Sequence, residues 1–386
     1  HAPLFRRLVL SYCSVSPTSG SGVNGGTIHR KSKFRHKDSP TGLSKVLSRP
    51  ARRITCASLS MVELISPLFS EMSEIPNRLA LSTCWCSHRH TDGYEMLTEI
   101  RELGFLRAEL SHGIRLELTP GILRAVEEGW IKISSVHNFC PLPATISHAA
   151  PNLFQPSARK NEERALWLLH SERTLEFAAR VGAPHVVMHS GSMDPSNLHF
   201  LFGSPVPVLE PDFAAPDPSP PADSPAVEKA VRKLRRAARS TLRRVHDAYL
   251  SLGPATRRHG LVLGAENREG ILEFPIDDEF QALFDQLPTD FPIGYWHDTG
   301  HARIKHLAGR LDHETHLAAL ADRLIGFHLH DVSAAGKDHQ VPGSGSVDFA
   351  MVRRYIRPHH TLVLEPSPRL TRDEILHSRD FLLNTL

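Results

Sequence analysis

Residues 295–306 read YWHDTGHARIKH, an aspartate and three histidines in one short stretch. Asp298 and His301 stand three apart across a Thr-Gly step. Two accounts fit that stretch alone. Asp298 can cap a helix with glycine at a turn, or a carboxylate and imidazoles can bind a cation and move protons. The same residue types recur along the chain. Glu109 with Ser111 and His112 beyond it, His137-Asn138, His189-Ser190-Gly191, Glu266-Asn267, His328-Leu329-His330-Asp331 and Glu365-Pro366 each close a short apolar run. One histidine in such a place is more often a satisfied structural group than a ligand. A succession of runs ending in His, Asp or Glu is different. Burying so many charges in one bowl is costly unless they pair or bind a metal. The run ends supply too little Arg or Lys to neutralise them. Imidazole and carboxylate without thiolate suit Zn²⁺, Mn²⁺, Fe²⁺, Co²⁺ or Mg²⁺.

The elements that must carry these residues follow a rhythm from residue 79 onward. β-Branched, apolar runs at 79–86, 106–110, 131–137, 185–189, 261–266, 293–297, 324–330 and 361–365 read as strands. Helical patterns alternate with them: GYEMLTEIRELG, NEERALWLLHSERTLEFAARVG, DDEFQALFDQL, ETHLAALADRL, SVDFAMVRRYI and TRDEILHSRDFLLNTL. Strand–helix alternation eight times over predicts an α/β chain folded as a (β/α)8 TIM barrel, whose chemistry sits at the C-terminal strand ends. A doubly wound open sheet is the second choice, but no Gly-rich phosphate loop follows the first strand.

Three other segments stand out. Residues 1–60 carry a net charge of +10 and the remainder −7. Rich in Ser and Arg, 1–60 reads as disordered or as a non-native leader, with transit-peptide composition as the other account; 61–78 reads as an N-terminal extension and 79–386 as the barrel domain. Residues 193–225 form a Pro-rich, aperiodic insertion, a lid over the catalytic face or a spacer. The next helix, AVEKAVRKLRRAARSTLRRVHDAYLSL, places Val231, Leu234, Ala238, Leu242, Val245 and Tyr249 at helical spacing, so its basic residues form a solvated face. The acidic main body disfavours a nucleic-acid partner. Five cysteines, with no C-x-x-C pair, exclude a disulfide framework and fit a reducing, cytoplasmic setting. No apolar run is long enough to span a bilayer.

The motifs GAENREG, HDTGHA, FHLHDV, DHQVPGSGSVDF and LVLEPS, in this order and spacing, make the chain resemble the xylose isomerase-like TIM-barrel superfamily. It contains sugar (phosphate) isomerases and epimerases and the endonuclease IV-type AP endonucleases. The resemblance implies a divalent metal (Zn, Mn, Co, Fe or Mg) held by Glu266, Asp298, His328 and Glu365. It implies Glu266 and Glu365 as the acid/base pair. His137, His189, His301, His330, His339 and Glu109 are left as contacts to a second metal or to substrate. His137 and His189 match positions that hold a second zinc in the endonucleases, and His339 matches a ligand of a third. The acid expected two residues before His339 is replaced by Lys337, and Asp338 is expected to point elsewhere. The arginine that ketose 3-epimerases place six residues after the metal-binding histidine is Ala334 here. Trp85 and Trp296 read as core, with an apolar wall of the site as their second role.

The implied reaction is isomerisation or epimerisation of a small polyhydroxy carbonyl compound (a sugar, sugar phosphate or related polyol) by proton abstraction beside a metal-bound carbonyl. A dehydratase or lyase begins with the same step, so that reading stays open. A zinc-dependent AP endonuclease that hydrolyses phosphodiesters is the alternative from another class, and a barrel that binds a metabolite without turning it over is a third. A homo-oligomer is left open.

Overall fold

The computed structural model describes residues 75–193, 206–209, 211, 213 and 224–386. Eight parallel strands close into one ring. They are β1 Leu79–Ser82, β2 Arg107–Leu110, β3 Lys132–His137, β4 His185–Met188, β5 Val262–Glu266, β6 Ile293–Asp298, β7 Leu324–Leu329 and β8 Thr361–Leu364. Each pairs with its neighbours in chain order, and β1 pairs with β8 to close the circle. The predicted (β/α)8 barrel is the observed fold. Strands buried on both faces read as continuous apolar runs, which is why the runs located them.

The helices in chain order are α1 Gly93–Glu102, α2 Thr119–Glu127, α3 Asn161–Arg180, α4 Pro225–His259, α5 Glu279–Gln286, α6 Thr299–Leu307, α7 His313–Leu320, α8 Phe349–Arg353 and α9 Arg372–Thr385. Their starts follow capping chemistry. The Asp92 side chain accepts from Tyr94 N at 2.6 Å to open α1, Ser224 opens α4, and Thr371 with Glu374 forms a capping box on α9. The α4 stripe Leu234, Ala238, Val245 and Tyr249 is buried as expected; Val231 and Leu242 are partly buried.

Several expectations change. The first strand stops at Ser82, and residues 83–89 make two 3-10 turns instead of running on to Cys86. Helix α2 fills the place after β2, with Pro120 in its first turn. Gly121 is there for close packing: a Cβ on it would lie 2.4 Å from Asp92 Oδ1 on the neighbouring cap. Helix α4 passes Gly253-Pro254 and ends at Gly260, whose φ of 66° suits glycine. The expectations for 1–60 and 61–78 lie outside the described residues, apart from 75–78, a single helical turn. Most of the 193–225 insertion also lies outside them. Val206–Leu209 within it is a helical turn, tied by Arg310 Nε to Leu209 O at 3.0 Å. Among the described residues, no helix is long and apolar enough to cross a membrane.

Inside the ring, Ala80, Val187, Trp296 and Val363 form a plug fed by four strands. Trp296 fits because glycines face its ring: Gly326 is its ladder partner on β7, and Gly264 lies on β5 two residues before its other partner, Glu266. A Cβ on Gly326 would meet the indole at 2.3 Å, and one on Gly264 at 3.0 Å. Trp296 is fully buried, and its ring lies 5.3 Å from that of His328. It is the floor of the bowl above. Trp85 is core, with Nε1 donating to Leu370 O at 2.7 Å.

Candidate metal centre

The C-terminal strand ends bring the expected residues together. Glu266 ends β5, Asp298 ends β6, His328 lies near the end of β7, and Glu365 follows β8. All four are buried, and one ligand atom from each lies within 4.8 Å of the others. His328 Nδ1 is 2.9 Å from Glu266 Oε1, 3.1 Å from Glu365 Oε2 and 3.9 Å from Asp298 Oδ2. A register shift between Tyr295 and Trp296 lets Asp298 come level with His328.

The opening motif takes the first of its two suggested roles and leaves a carboxylate oxygen for the second. Asp298 Oδ1 caps α6 by accepting from His301 N at 2.7 Å, while Oδ2 faces the bowl. Asn267 Oδ1 accepts from Asp298 N at 2.7 Å, and Asn267 Nδ2 donates to Asp298 O at 3.0 Å, clamping the end of β6. Gly300 is required by its neighbour, since a Cβ there would sit 2.1 Å from His330 Cε1.

His330 points into the same bowl, but both ring nitrogens are in use. Nδ1 accepts from His339 N at 2.9 Å, so Nε2 carries the proton donated to Asp298 Oδ2 at 2.9 Å. By this bond His330 holds Asp298, and its nitrogens also converge with those of His301 and His339 in groups that could hold a cation. Its ring stacks on His339 at 4.2 Å. His339 lies 3.8 Å from Glu365 through Nε2. His301 places Nδ1 at 2.9 Å from Asn267 O, which leaves Nε2 facing Glu269 and Asp338 at 3.9 and 4.0 Å. Asp338 thus points toward the site, against expectation.

His137 ends β3 and His189 follows β4. With Glu266 they form a second group of three. Their Nε2 atoms lie 3.4 and 2.9 Å from Glu266 Oε2. Glu109 stands apart on the far side of His328, in contact with Nε2 at 3.0 Å.

Arg268 was missed at the sequence level. Its guanidinium is largely buried beside the bowl, with Nη1 3.5 Å from Glu266 Oε2 and Nε 3.1 Å from Glu273 Oε1. It supplies the positive charge that the strand ends lacked. It stands two residues after Glu266, but a charge beside a strand end reads equally well as surface.

The electrostatics follow from burial and these contacts. Burial works to raise the Glu266 carboxyl, but His328, His137 and His189 outweigh it and hold Glu266 well below the usual range. Burial opposes a charged His328 ring, yet Glu365, Glu109 and Glu266 hold it well above its ordinary value. Burial lowers His189 to about 3, with Arg268 adding to the effect. Burial also pushes Glu365 up.

The donor set suits a divalent cation. Three buried carboxylates and one imidazole nitrogen converge without thiolate, and Glu266 Oε2 has no well-directed hydrogen bond. The bowl opens to a cleft of about 770 Å³, lined among others by Ser111, His112, Lys337, His339, Glu365 and Arg369. That volume suits a small molecule. A groove of about 440 Å³ on the outer helices holds none of these groups.

The sequence matches the family described as Xylose isomerase-like TIM barrel over residues 99–382. A Sinorhizobium fredii protein, "Uncharacterized protein y4fM", is 25% identical over 248 residues, 60% of this chain and 65% of its own length. The chain thus spans just under two thirds of that relative. A D-tagatose 3-epimerase-like protein superposes with a TM-score of 0.56 at 15% identity, over 80% of this chain and 96% of the other. The 3-keto-D-glucoside 4-epimerase of E. coli does so with a TM-score of 0.54 at 18% identity, over 80% and 99%. At these identities the likeness is one of fold.

Proposed function

This chain belongs to the xylose isomerase-like TIM-barrel family, and from that premise we propose that it is a divalent-metal-dependent isomerase or epimerase of a sugar, sugar phosphate or related polyol. The observation that carries the reading is the placement of Glu266 and Glu365. They arise from strands on different sides of the ring and meet the same nitrogen of His328 at 2.9 and 3.1 Å. Two carboxylates flanking one centre suit removal of a proton from one face of a carbon and its return from the other.

Glu266, Asp298, His328 and Glu365 would hold the cation. Bound there, it would supply the Lewis-acid charge that stabilises a developing oxyanion. The chain's own residues do the rest. Glu266 and Glu365 take and return the proton at carbon. His330 and Asn267 fix Asp298. His301 turns Nε2 toward Asp338, which lines the cleft where a substrate hydroxyl would sit. Cys84, Cys86 and Cys140 are free thiols, which supports a cytoplasmic setting.

A second reading has one observation in its favour: His137, His189 and Glu266 can hold another cation, as a zinc-dependent AP endonuclease centre requires. Arg268 counts against it, because a fixed positive charge 3.5 Å from Glu266 Oε2 opposes a second cation on the same oxygen. Lys337, at the third position of such a centre, acts in the same direction.

The test is proton exchange. The full chain is loaded with Mn²⁺ or Co²⁺ and incubated in D2O with a panel of ketoses and their phosphates. Deuterium is expected at the carbon beside the carbonyl of one class. Glu266→Gln and Glu365→Gln should slow incorporation by roughly 10²–10⁴-fold. Loss of water from the substrate would shift the assignment to a dehydratase or lyase. Two or three zinc ions per chain with cleavage at abasic sites would shift it to the endonuclease. Wild-type protein that takes up no metal would overturn all three.

A further inference from the structure

Glu109 belongs to none of the groups of atoms that converge for a cation, yet its carboxylate is completely buried. A buried carboxylate needs partners to offset its lost hydration. It has three. Oε1 accepts from Ser82 Oγ at 3.0 Å, and Oε2 accepts from Ser135 Oγ at 2.7 Å and meets His328 Nε2 at 3.0 Å.

The sheet register builds this arrangement. Ser82 on β1 and Ser135 on β3 are the ladder partners of Glu109 on β2, so the three lie in one row across the barrel. A register shift between Ala108 and Glu109 re-aims the carboxylate at that point. The small hydroxyl residues on both sides leave room for the glutamate and donate to it. Its remaining partner, reached from 219 residues away, is the ring of His328.

An imidazole presents its two nitrogens in opposite directions. Nδ1 of His328 faces Glu266, Asp298 and Glu365; Nε2 faces Glu109. We infer that Glu109 is a positioning residue for the metal centre: by accepting the Nε2 proton it fixes the ring orientation and tautomer, leaving the Nδ1 lone pair for the cation and making it more basic. Carboxylate–histidine–metal chains of this kind are a general way to tune a ligand. Glu109 is therefore neither a second-metal ligand nor a substrate contact. The inference rests on the metal-dependent reading above and specifies how that centre is held.

The test is Co²⁺ binding to the full chain, followed by visible absorption against a competing chelator. Wild type, Glu365→Ala, Glu109→Gln and Ser135→Ala are compared, with thermal unfolding of the metal-free proteins as the control for folding. Glu109→Gln should keep the stoichiometry and weaken Co²⁺ binding by roughly 10–100-fold. Ser135→Ala, which removes one hydrogen bond from the carboxylate, should weaken it by a few-fold and keeps the idea testable should Glu109→Gln fail to fold. In the Co²⁺-loaded wild type, the paramagnetically shifted His328 Nε2 proton should exchange slowly with water; in Glu109→Gln it should exchange faster. Binding by Glu109→Gln and Ser135→Ala within twofold of wild type, while Glu365→Ala loses it, would overturn this inference alone. No Co²⁺ binding by wild type would overturn the metal centre itself, and this inference with it.

Discussion

Gly326→Ala probes the floor of the site. The added methyl would lie 2.3 Å from Trp296 Cζ3 and 2.6 and 2.7 Å from its neighbouring ring atoms. Carbon contacts relax near 3.5–4.0 Å, so the indole must retreat by more than an ångström. It has nowhere to go, being fully buried among Ala80, Val187 and Val363 under the His328 ring. Overpacking a close-packed interior by one carbon costs about 1–3 kcal/mol. The upper part of that range is expected here, because the obstacle is a rigid ring. The assay is denaturant unfolding of Gly326→Ala, Trp296→Phe and the double variant. Trp296→Phe removes the ring edge that the methyl strikes, so the double variant should recover about 1–2 kcal/mol relative to the sum of the singles. Additive losses would refute the claim that Gly326 exists to admit Trp296.

Three further outcomes follow from the same geometry. Asp331 accepts from Val332 N, Gly343 N, Gly345 N and Val347 N at 2.8–2.9 Å; Asp331→Ala should cost about 2–4 kcal/mol in denaturant unfolding and speed proteolysis at 337–346. Gly300→Ala should push His330 off Asp298 and lower kcat/KM at least about 10-fold in the deuterium-exchange assay, while thermal unfolding shows the fold intact. Burial lowers His313 to about 3 and His316 to about 4 in the fold, against about 6.5 when unfolded. The unfolded chain thus takes protons that the native state refuses. Stability is full above pH 6.5 and falls as pH drops toward 4, by about 1.4 kcal/mol per pH unit for each group. His316→Gln should flatten that slope by about one group's share in pH-dependent denaturation.

The strands were legible because barrel strands are apolar on both faces, so each run ends where a polar side chain reaches the bowl. The same pattern put Glu266, Asp298, His328 and Glu365 among the polar strand ends, and the family resemblance singled those four out. What stayed hidden was which atoms meet. His330 shares a face with His328, but only tertiary structure shows its nitrogens spent on His339 N and Asp298. Arg268 gives no signal of its own in the sequence, because its partners Glu273 and Glu266 enclose it only in the fold. Helix α6 was seen only as a cap, because its buried face includes Lys305. That residue is held by Asp277 at 2.7 Å and breaks the apolar pattern. Charges buried against partners far along the chain leave no periodic trace.

Ring closure gives the centre a thermodynamic property of its own. Glu266 and Glu365 lie on β5 and β8, and β8 is tied to the rest of the sheet on its far side by the ladder to β1. Any ligand that touches both carboxylates bridges the ring, so its binding is linked to the seam being shut. Fraying of β8 and α9 would remove Glu365 before it disturbed the other strand ends. Amide exchange along 361–364 should therefore slow when the bowl is filled, in proportion to ligand affinity, while exchange on β3 and β4 should change less. The site then acts as a clasp: what it binds is reported at the seam as well as at the centre.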